Sequence, residues 1–186
     1  MFGGIFTYKY FYHTPEGFSN LLLGSDGTYL TDLNFVSQDD EWQGSKGKEQ
    51  RLPVFAETCR WLDIYFGGRE PGFVPPYQEK NATPFRQVVL NIVANIPYGR
   101  VTTYGEIAQE AARRLDKPRM SAQAVGGAVG WNPICLIIPC HRVIGAKGTL
   151  TGYGGGMMNK IALLRLEGHR VTEKGISSGV TDWVKW

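Results

Sequence analysis

The chain has 186 residues, 20 Lys+Arg against 17 Asp+Glu for a formal charge of +3, and 42% apolar and 12% aromatic residues. That composition fits one large or two small globular domains and excludes disorder throughout. No apolar run approaches the ~20 residues that cross a bilayer, and the start, Met1-Phe-Gly-Gly-Ile-Phe-Thr, lacks the marks of a signal peptide. A cytoplasmic protein without membrane contact is expected. Charge is uneven: residues 1–80 carry 7 Lys+Arg and 11 Asp+Glu, whereas residues 81–186 carry 13 and 6. A basic second half suits either a polyanionic partner or an ordinary solvated surface. Cys59, Cys135 and Cys140 are an odd set without Cys-x-x-Cys, and His13, His141 and His169 are scattered, so neither a disulfide framework nor a metal site follows.

In chain order, Ile5 to Tyr12, Phe18 to Leu23 and Tyr29 to Phe35 are aromatic and β-rich, and Asp26-Gly27 is a hairpin signal, so a small antiparallel sheet is expected. Ser37 to Gln50 is polar and aperiodic and reads as a surface loop without chemistry. Leu52-Pro53 opens a helix with Phe55, Cys59, Leu62 and Phe66 on one face and a Gly67-Gly68 stop; Cys59 is then core. Residues 67–82, with Pro71, Pro75 and Pro76, read as an interdomain linker that divides the chain into 1–81 and 82–186.

Thr83-Pro84 caps a helix striped with Phe85, Val88, Val89, Ile92, Val93 and Ile96, ended by Pro97-Tyr98-Gly99. Thr102 or Thr103 caps the next, Tyr104 to Leu115, and after Asp116-Lys117-Pro118 a second short helix starts near Ser121, a helix-turn-helix pattern. Its sequence, Ser121-Ala-Gln-Ala-Val-Gly-Gly-Ala-Val-Gly130, has almost no bulk, although each helical glycine costs about 1 kcal/mol relative to alanine. Bare backbone permits close approach, either by a neighbouring helix or by the groove of a nucleic acid duplex.

The apolar run Ile134 to Ile138 reads as a short strand delivering Pro139-Cys140-His141-Arg142-Val143. A thiol of ordinary pKa, about 8.5, needs a base or a positive field to act as a nucleophile, and His141 and Arg142 are candidates; the plain alternative is a buried structural cysteine. Thr149 to Gly156 is a Gly-rich loop holding Tyr153, read as a pocket wall, and Met157 to Glu167 is a final helix closed by Gly168. The tail from Val171, with Trp183 and Trp186, carries no assignable role.

Pro139 to Ile144, with Ala124-Val-Gly-Gly-Ala128 and Asn132-Pro133 upstream and Gly152-Tyr153 and Leu163-Leu164 to Glu167-Gly168 downstream, resembles the O6-alkylguanine-DNA alkyltransferase family over residues 83–170. The first 80 residues are similar to that family's less specified first domain. The resemblance implies an α+β fold: a small N-terminal antiparallel β-sheet plus helix domain, then a helical, winged helix-turn-helix-like domain for DNA binding and alkyl acceptance. It implies single-turnover transfer of an alkyl group from O6-alkylguanine in double-stranded DNA to Cys140 after minor-groove binding and nucleotide flipping, by a monomer without cofactor or metal. O4-alkylthymine is a further substrate left open. His141 would act as base through a water, Glu167 would orient it, Asn132 would be a hinge and Tyr104 a proton donor. Val143, Tyr153, Gly154 and Gly155 would hold the base; Ser121, Ala122, Gln123, Ala124, Gly126, Gly127 and Arg142 would contact DNA.

This sequence departs from the pattern at Gln123, where the family usually has an arginine that fills the gap left by the flipped base, and at Trp131. Trp131, Arg119 and Arg113 are the candidates to compensate for Gln123. The departure keeps a second reading alive, an alkyltransferase-like protein that binds the lesion with slow or no transfer. A multiple-turnover Cys-His hydrolase is a third, and would need an oxyanion hole.

Overall fold

The Asp26-Gly27 turn reverses the chain through its own side chain: Asp26 Oδ1 accepts from the N–H groups of Thr28 (3.0 Å) and Tyr29 (2.9 Å). Gly27 sits at φ 112°, which a side chain would disfavour. The turn joins β2 (Leu21–Ser25) to β3 (Leu30–Phe35), and β1 (Tyr8–Tyr12) pairs with β2 on its other edge. A computed structural model describes residues 7–36, 47–172, 175–176 and 184 of the chain. The sheet order is β3-β2-β1-β4, and β4 (Lys48–Glu49) runs parallel to β1, so the sheet is mixed rather than wholly antiparallel. That short strand comes from the polar stretch read as a loop; residues 37–46 of the stretch, like Ile5 and the tail's Trp183 and Trp186, lie outside the described residues.

The chain divides into two compact units, Met1–Lys80 with Pro133–Ile137, and Asn81–Asn132 with Ile138–Trp186. In the first, α1 (Pro53–Phe66) lays Phe55, Leu62 and Tyr65 into a core shared with Leu21, Leu23, Leu30 and Leu33. Phe55 stacks on Tyr10 of β1 at 5.8 Å between ring centroids. The residues read as a linker are not free: Leu30 N–H donates to Pro76 O (2.9 Å) and Gln78 N–H to Leu30 O (2.9 Å). Pro133–Ile137 also belongs here, with Leu33 N–H on Pro133 O (2.8 Å) and Cys135 N–H on Leu33 O (2.9 Å).

In the second unit α2 (Pro84–Ala94) starts as its sequence dictates, with Thr83 Oγ1 accepting from Arg86 N–H and Pro84 in the first turn. Val89, Leu90, Ile92 and Val93 are its buried face. Then β5 (Thr102–Thr103) leads into α3 (Tyr104–Arg114) through a capping box: Thr103 Oγ1 accepts from Glu106 N–H (3.2 Å) and Glu106 Oε2 from Thr103 N–H (2.8 Å). Next, α4 (Ala122–Gly130) is capped by the Ser121 hydroxyl and packs Val125, Ala128 and Val129 inward. Parallel pairing of β5 with β6 (Val143–Ile144) sets Thr102 opposite Val143, and so fixes α3's first residue, Tyr104, beside the thiol segment. α5 (Met157–Leu166) follows, with Leu163 and Leu164 buried, and Leu164 joins Val101, Ile144 and Ile176 in a second apolar cluster. The pair β7 (Val171–Thr172) and β8 (Gly175–Ile176) follows.

Candidate active site

Cys140 stands on a 3-10 turn, Cys140–Arg142, and not on a strand. The apolar run before it makes only isolated bridges and a turn, with Leu136 at φ 69°. It is apolar because Ile134 to Ile138 are all buried, which sequence periodicity cannot tell from a core strand. The turn changes the side-chain geometry, since neighbours on a 3-10 turn need not alternate between faces.

Asn132 closes the base of this excursion. Its Nδ2 donates one hydrogen to Ile138 O (2.8 Å) and the other to Cys140 Sγ (3.0 Å). Burial raises the thiol above its ordinary pKa; the hydrogen bond from Asn132, the charge of Lys160 and the hydroxyl of Tyr153 act the other way. The resting cysteine is therefore a thiol whose anion has donors already in place.

His141 and Glu167 are fully buried side chains, and Nε2 lies 2.8 Å from Oε1. Desolvation lowers the imidazole's pKa against the pull of Glu167, so the ring is neutral near pH 7. A neutral ring that donates from Nε2 to a carboxylate leaves Nδ1 as the acceptor, the tautomer a general base requires. Burial opposes the charge of Glu167, yet His141 and Arg142 together hold its carboxyl well below the usual range. Gly99 N–H also donates to Oε2 (3.1 Å), from a turn in which Gly99 takes φ 69°.

Arg142 corrects an expectation. Placed among the DNA contacts by the resemblance, it is buried: its guanidinium grips Glu167 through Nε (2.9 Å) and Nη2 (3.0 Å), donates from Nη1 to Ile96 O (2.6 Å), and lies 5.7 Å from the Tyr98 ring centroid. The desolvation cost of a buried guanidinium is offset only by such complete pairing. Arg142 thus spends its charge on the carboxylate that also bonds His141.

Tyr104 is more than half buried and its phenol pKa is raised by desolvation, so the proton stays on. Thr151 Oγ1 donates to its hydroxyl oxygen (3.3 Å), which leaves the phenolic proton available. Both line an open cavity of 640 Å³ together with Thr103, Gln123, Gly126 and Lys147. The same cavity thus touches the first turn of α4 and the phenol beside the thiol segment.

Ser121, Ala122, Gln123, Ala124 and Gly127 are exposed on α4. A Cβ built on Gly127 or Gly130 meets nothing within 4 Å, and one on Gly126 would touch only the Tyr104 ring at 3.9 Å. No packing partner within the described structure requires these glycines, so the close-packed-helix alternative is not what they serve. Trp131, at the far end of α4, is covered by the Arg86 guanidinium at 4.6 Å, and Arg113 is bound to Glu110 at 2.7 Å. Gly154 is exposed and Gly155 half-buried in the loop after Tyr153.

Residues 84–169 match the family model described as 6-O-methylguanine DNA methyltransferase, DNA binding domain. A methylated-DNA–protein-cysteine methyltransferase of Haemophilus influenzae is 37% identical, the match covering 91% of this chain and 92% of that one. The chain belongs to the methylated-DNA–protein-cysteine methyltransferase family. The Mycobacterium leprae methyltransferase is 42% identical over 81% of this chain and 87% of its own. A Mycobacterium tuberculosis OGT, solved in complex with DNA, superposes with TM-score 0.72 at 36% identity, covering 87% of this chain and 92% of that one. The α+β fold expected from the sequence is therefore this family's fold.

One residue of this methyltransferase family member escaped the sequence reading. Lys160, on α5, is fully buried, donates from Nζ to Val143 O (2.7 Å) and lies 5.9 Å from the Tyr153 ring centroid. Burial lowers its pKa to about 8, while Cys140 pulls it back up. A lysine in an amphipathic helix reads as solvated; only its place between Asn159 and Ile161, four residues before Leu164, hinted that it faces inward.

Proposed function

We propose that this protein repairs DNA by moving one alkyl group from O6-alkylguanine to Cys140, once per molecule. The observation that carries the reading is the Cys140 thiol with Asn132 Nδ2 at 3.0 Å, next to a neutral His141 held by a buried Glu167. His141 takes the thiol proton, through a water, as the thiolate attacks the alkyl carbon. The S–C bond forms as the C–O6 bond breaks, and Tyr104 supplies a proton toward the purine as negative charge develops on it. The Asn132 amide and the Lys160 ammonium stabilise the thiolate meanwhile, and His141⁺ with Glu167 retains the proton. The thioether product has no leaving group that these residues could activate, so the thiol is not regenerated.

A thiol this enclosed reaches an alkyl carbon only if the nucleotide leaves the stack, which costs a few kcal/mol. The bare face of α4 supports close approach to a minor groove, and Tyr153, Gly154, Gly155 and Val143 are the residues we assign to holding the extruded base, with Ser121 to Ala124, Gly126 and Gly127 on the duplex. Gln123, exposed in the first turn of α4, would fill the vacated stack without a cation's attraction for phosphate.

Intact mass after incubation with a duplex containing O6-methylguanine tests the reading. One methyl group per molecule on Cys140 is expected, and none for Cys140→Ser with binding retained. Product beyond one equivalent per protein would favour a hydrolase, and binding of the lesion without transfer by the unaltered protein would favour a lesion-binding role.

A further inference from the structure

Asn159 is the third residue of α5 and is only 5% exposed. An amide that far from water costs free energy unless it finds partners, and its Nδ2 donates to Gly155 O at 2.6 Å. The bond is not a cap, since it satisfies the Gly155 carbonyl and no N–H of the first turn; the residue before the helix, Gly156, has no side chain to offer and lies at φ 87°. Asn159 therefore ties the glycine run to the helix that follows it. Its neighbour Lys160 reaches the other end of the same loop, donating from Nζ to Thr151 O at 3.4 Å, and Thr151 in turn meets Tyr104. Between these two anchors Gly152 and Gly154 are exposed, and a Cβ added at Gly152 would meet nothing within 4 Å. The loop of residues 151–156 is thus held at both ends, with exposed glycines on either side of a half-buried Tyr153.

The two anchors differ in how readily they yield. The Lys160 contact with Thr151 is long, and the ammonium keeps its 2.7 Å bond to Val143 O if the loop moves. The Asn159 bond is short, and breaking it separates a buried donor from the Gly155 carbonyl. We propose that Asn159 is a positioning residue that fixes the wall of the base pocket through Gly155 and so limits the size of O6-alkyl group the pocket admits. This rests on the proposed function. A methyl group adds little volume to guanine, whereas a benzyl group adds a ring that the enclosed thiol can meet only if the wall gives way. Strain at that wall is carried first by the tether. Losing it should ease opening by about one net hydrogen bond, a factor of about five in population. If the bond did no more than start α5, its loss would slow both alkyl groups alike.

The test compares unaltered protein, Asn159→Val, which removes the donor at similar volume, and Asn159→Ser, which shortens it and leaves little to disturb in folding. Rates of Cys140 alkylation are read by intact mass with duplexes bearing O6-methylguanine or O6-benzylguanine. A benzyl-to-methyl rate ratio raised about fivefold in either folded variant is expected. A ratio unchanged in both, with methyl transfer still measurable, overturns the tether and leaves the proposed function standing. Hydrogen exchange at Gly154 and Gly155 should be faster in Asn159→Ser than in the unaltered protein, and equal exchange in the two also overturns it. Failure of the unaltered protein to transfer either group overturns the proposed function, and the tether's role with it.

Discussion

Replacing Gly127 by alanine should make the protein more stable and worse at repair. Gly127 lies inside α4, is exposed, and a Cβ there meets nothing within 4 Å, so the substitution carries no steric cost in the free protein. Alanine in a helix interior is favoured over glycine by about 1 kcal/mol, which for a chain of this size is a rise of about 2–4 °C in melting temperature. On DNA the sign reverses if the bare face is where the duplex comes closest. One methyl group at a close contact costs about 1–3 kcal/mol, so the transfer rate on duplex at limiting protein should fall about fivefold or more. Thermal melting and single-turnover transfer on the same preparation supply both readings, and transfer from free O6-benzylguanine base, which needs no duplex, supplies the control. A variant that melts higher and repairs duplex at the unaltered rate would show that α4 does not carry the close contact. A variant that also loses the free-base reaction would show that the change reached the pocket through Tyr104.

Gln123→Arg should raise the rate on duplex and steepen its salt dependence by about one counterion, with a smaller effect on the free base; equal gains on both substrates would exclude Gln123 from the stack-filling role. Glu167→Gln strands a buried guanidinium and should cost about 3–5 kcal/mol in denaturant unfolding while abolishing rapid transfer, and a loss below about 1 kcal/mol would mean that Arg142 finds another partner. The pKa of Lys160 is lowered to about 8 in the fold, so between that pH and its ordinary value near 10.5 the unfolded chain binds the extra proton. The sign follows: the penalty is fully present below pH 8, and stability from this group rises with pH across the window, by about 3 kcal/mol in all. Unfolding free energies of the unaltered protein and Lys160→Met from pH 7.5 to 10.5 should diverge in slope; parallel curves would refute it.

The helices were legible because their signals are local. Thr83-Pro84, the Thr103 to Glu106 box and Ser121 each satisfy their own backbone N–H groups, and no distant residue is needed to read them. The thiol and its neighbouring histidine were candidates in the Pro139 to Val143 run itself, whereas Glu167 was legible only through resemblance, since the return of α5 brings it to His141. What sequence concealed was the inward turn of charge. Arg142 and Lys160 carry the same formal charge as any surface cation, and nothing adjacent in the chain announces that Ile96 O and Val143 O are their acceptors. The 3-10 turn under Cys140 was concealed by burial, which makes a bent segment as apolar as a strand.

The detour of Pro133–Ile137 into the first unit has a consequence for synthesis. Asn34 and Pro133, which meet at 3.4 Å beside β3, are 99 residues apart in the chain. A ribosome adding about 5–20 residues per second leaves that edge of the sheet waiting roughly 5–20 s for its last partner. During this interval Leu33, fully buried in the finished protein, has its backbone N–H and C=O without the acceptor and donor that Pro133 and Cys135 later provide. The nascent first unit is thus an open β-edge that must be kept from pairing with another chain until the residues just ahead of the thiol emerge.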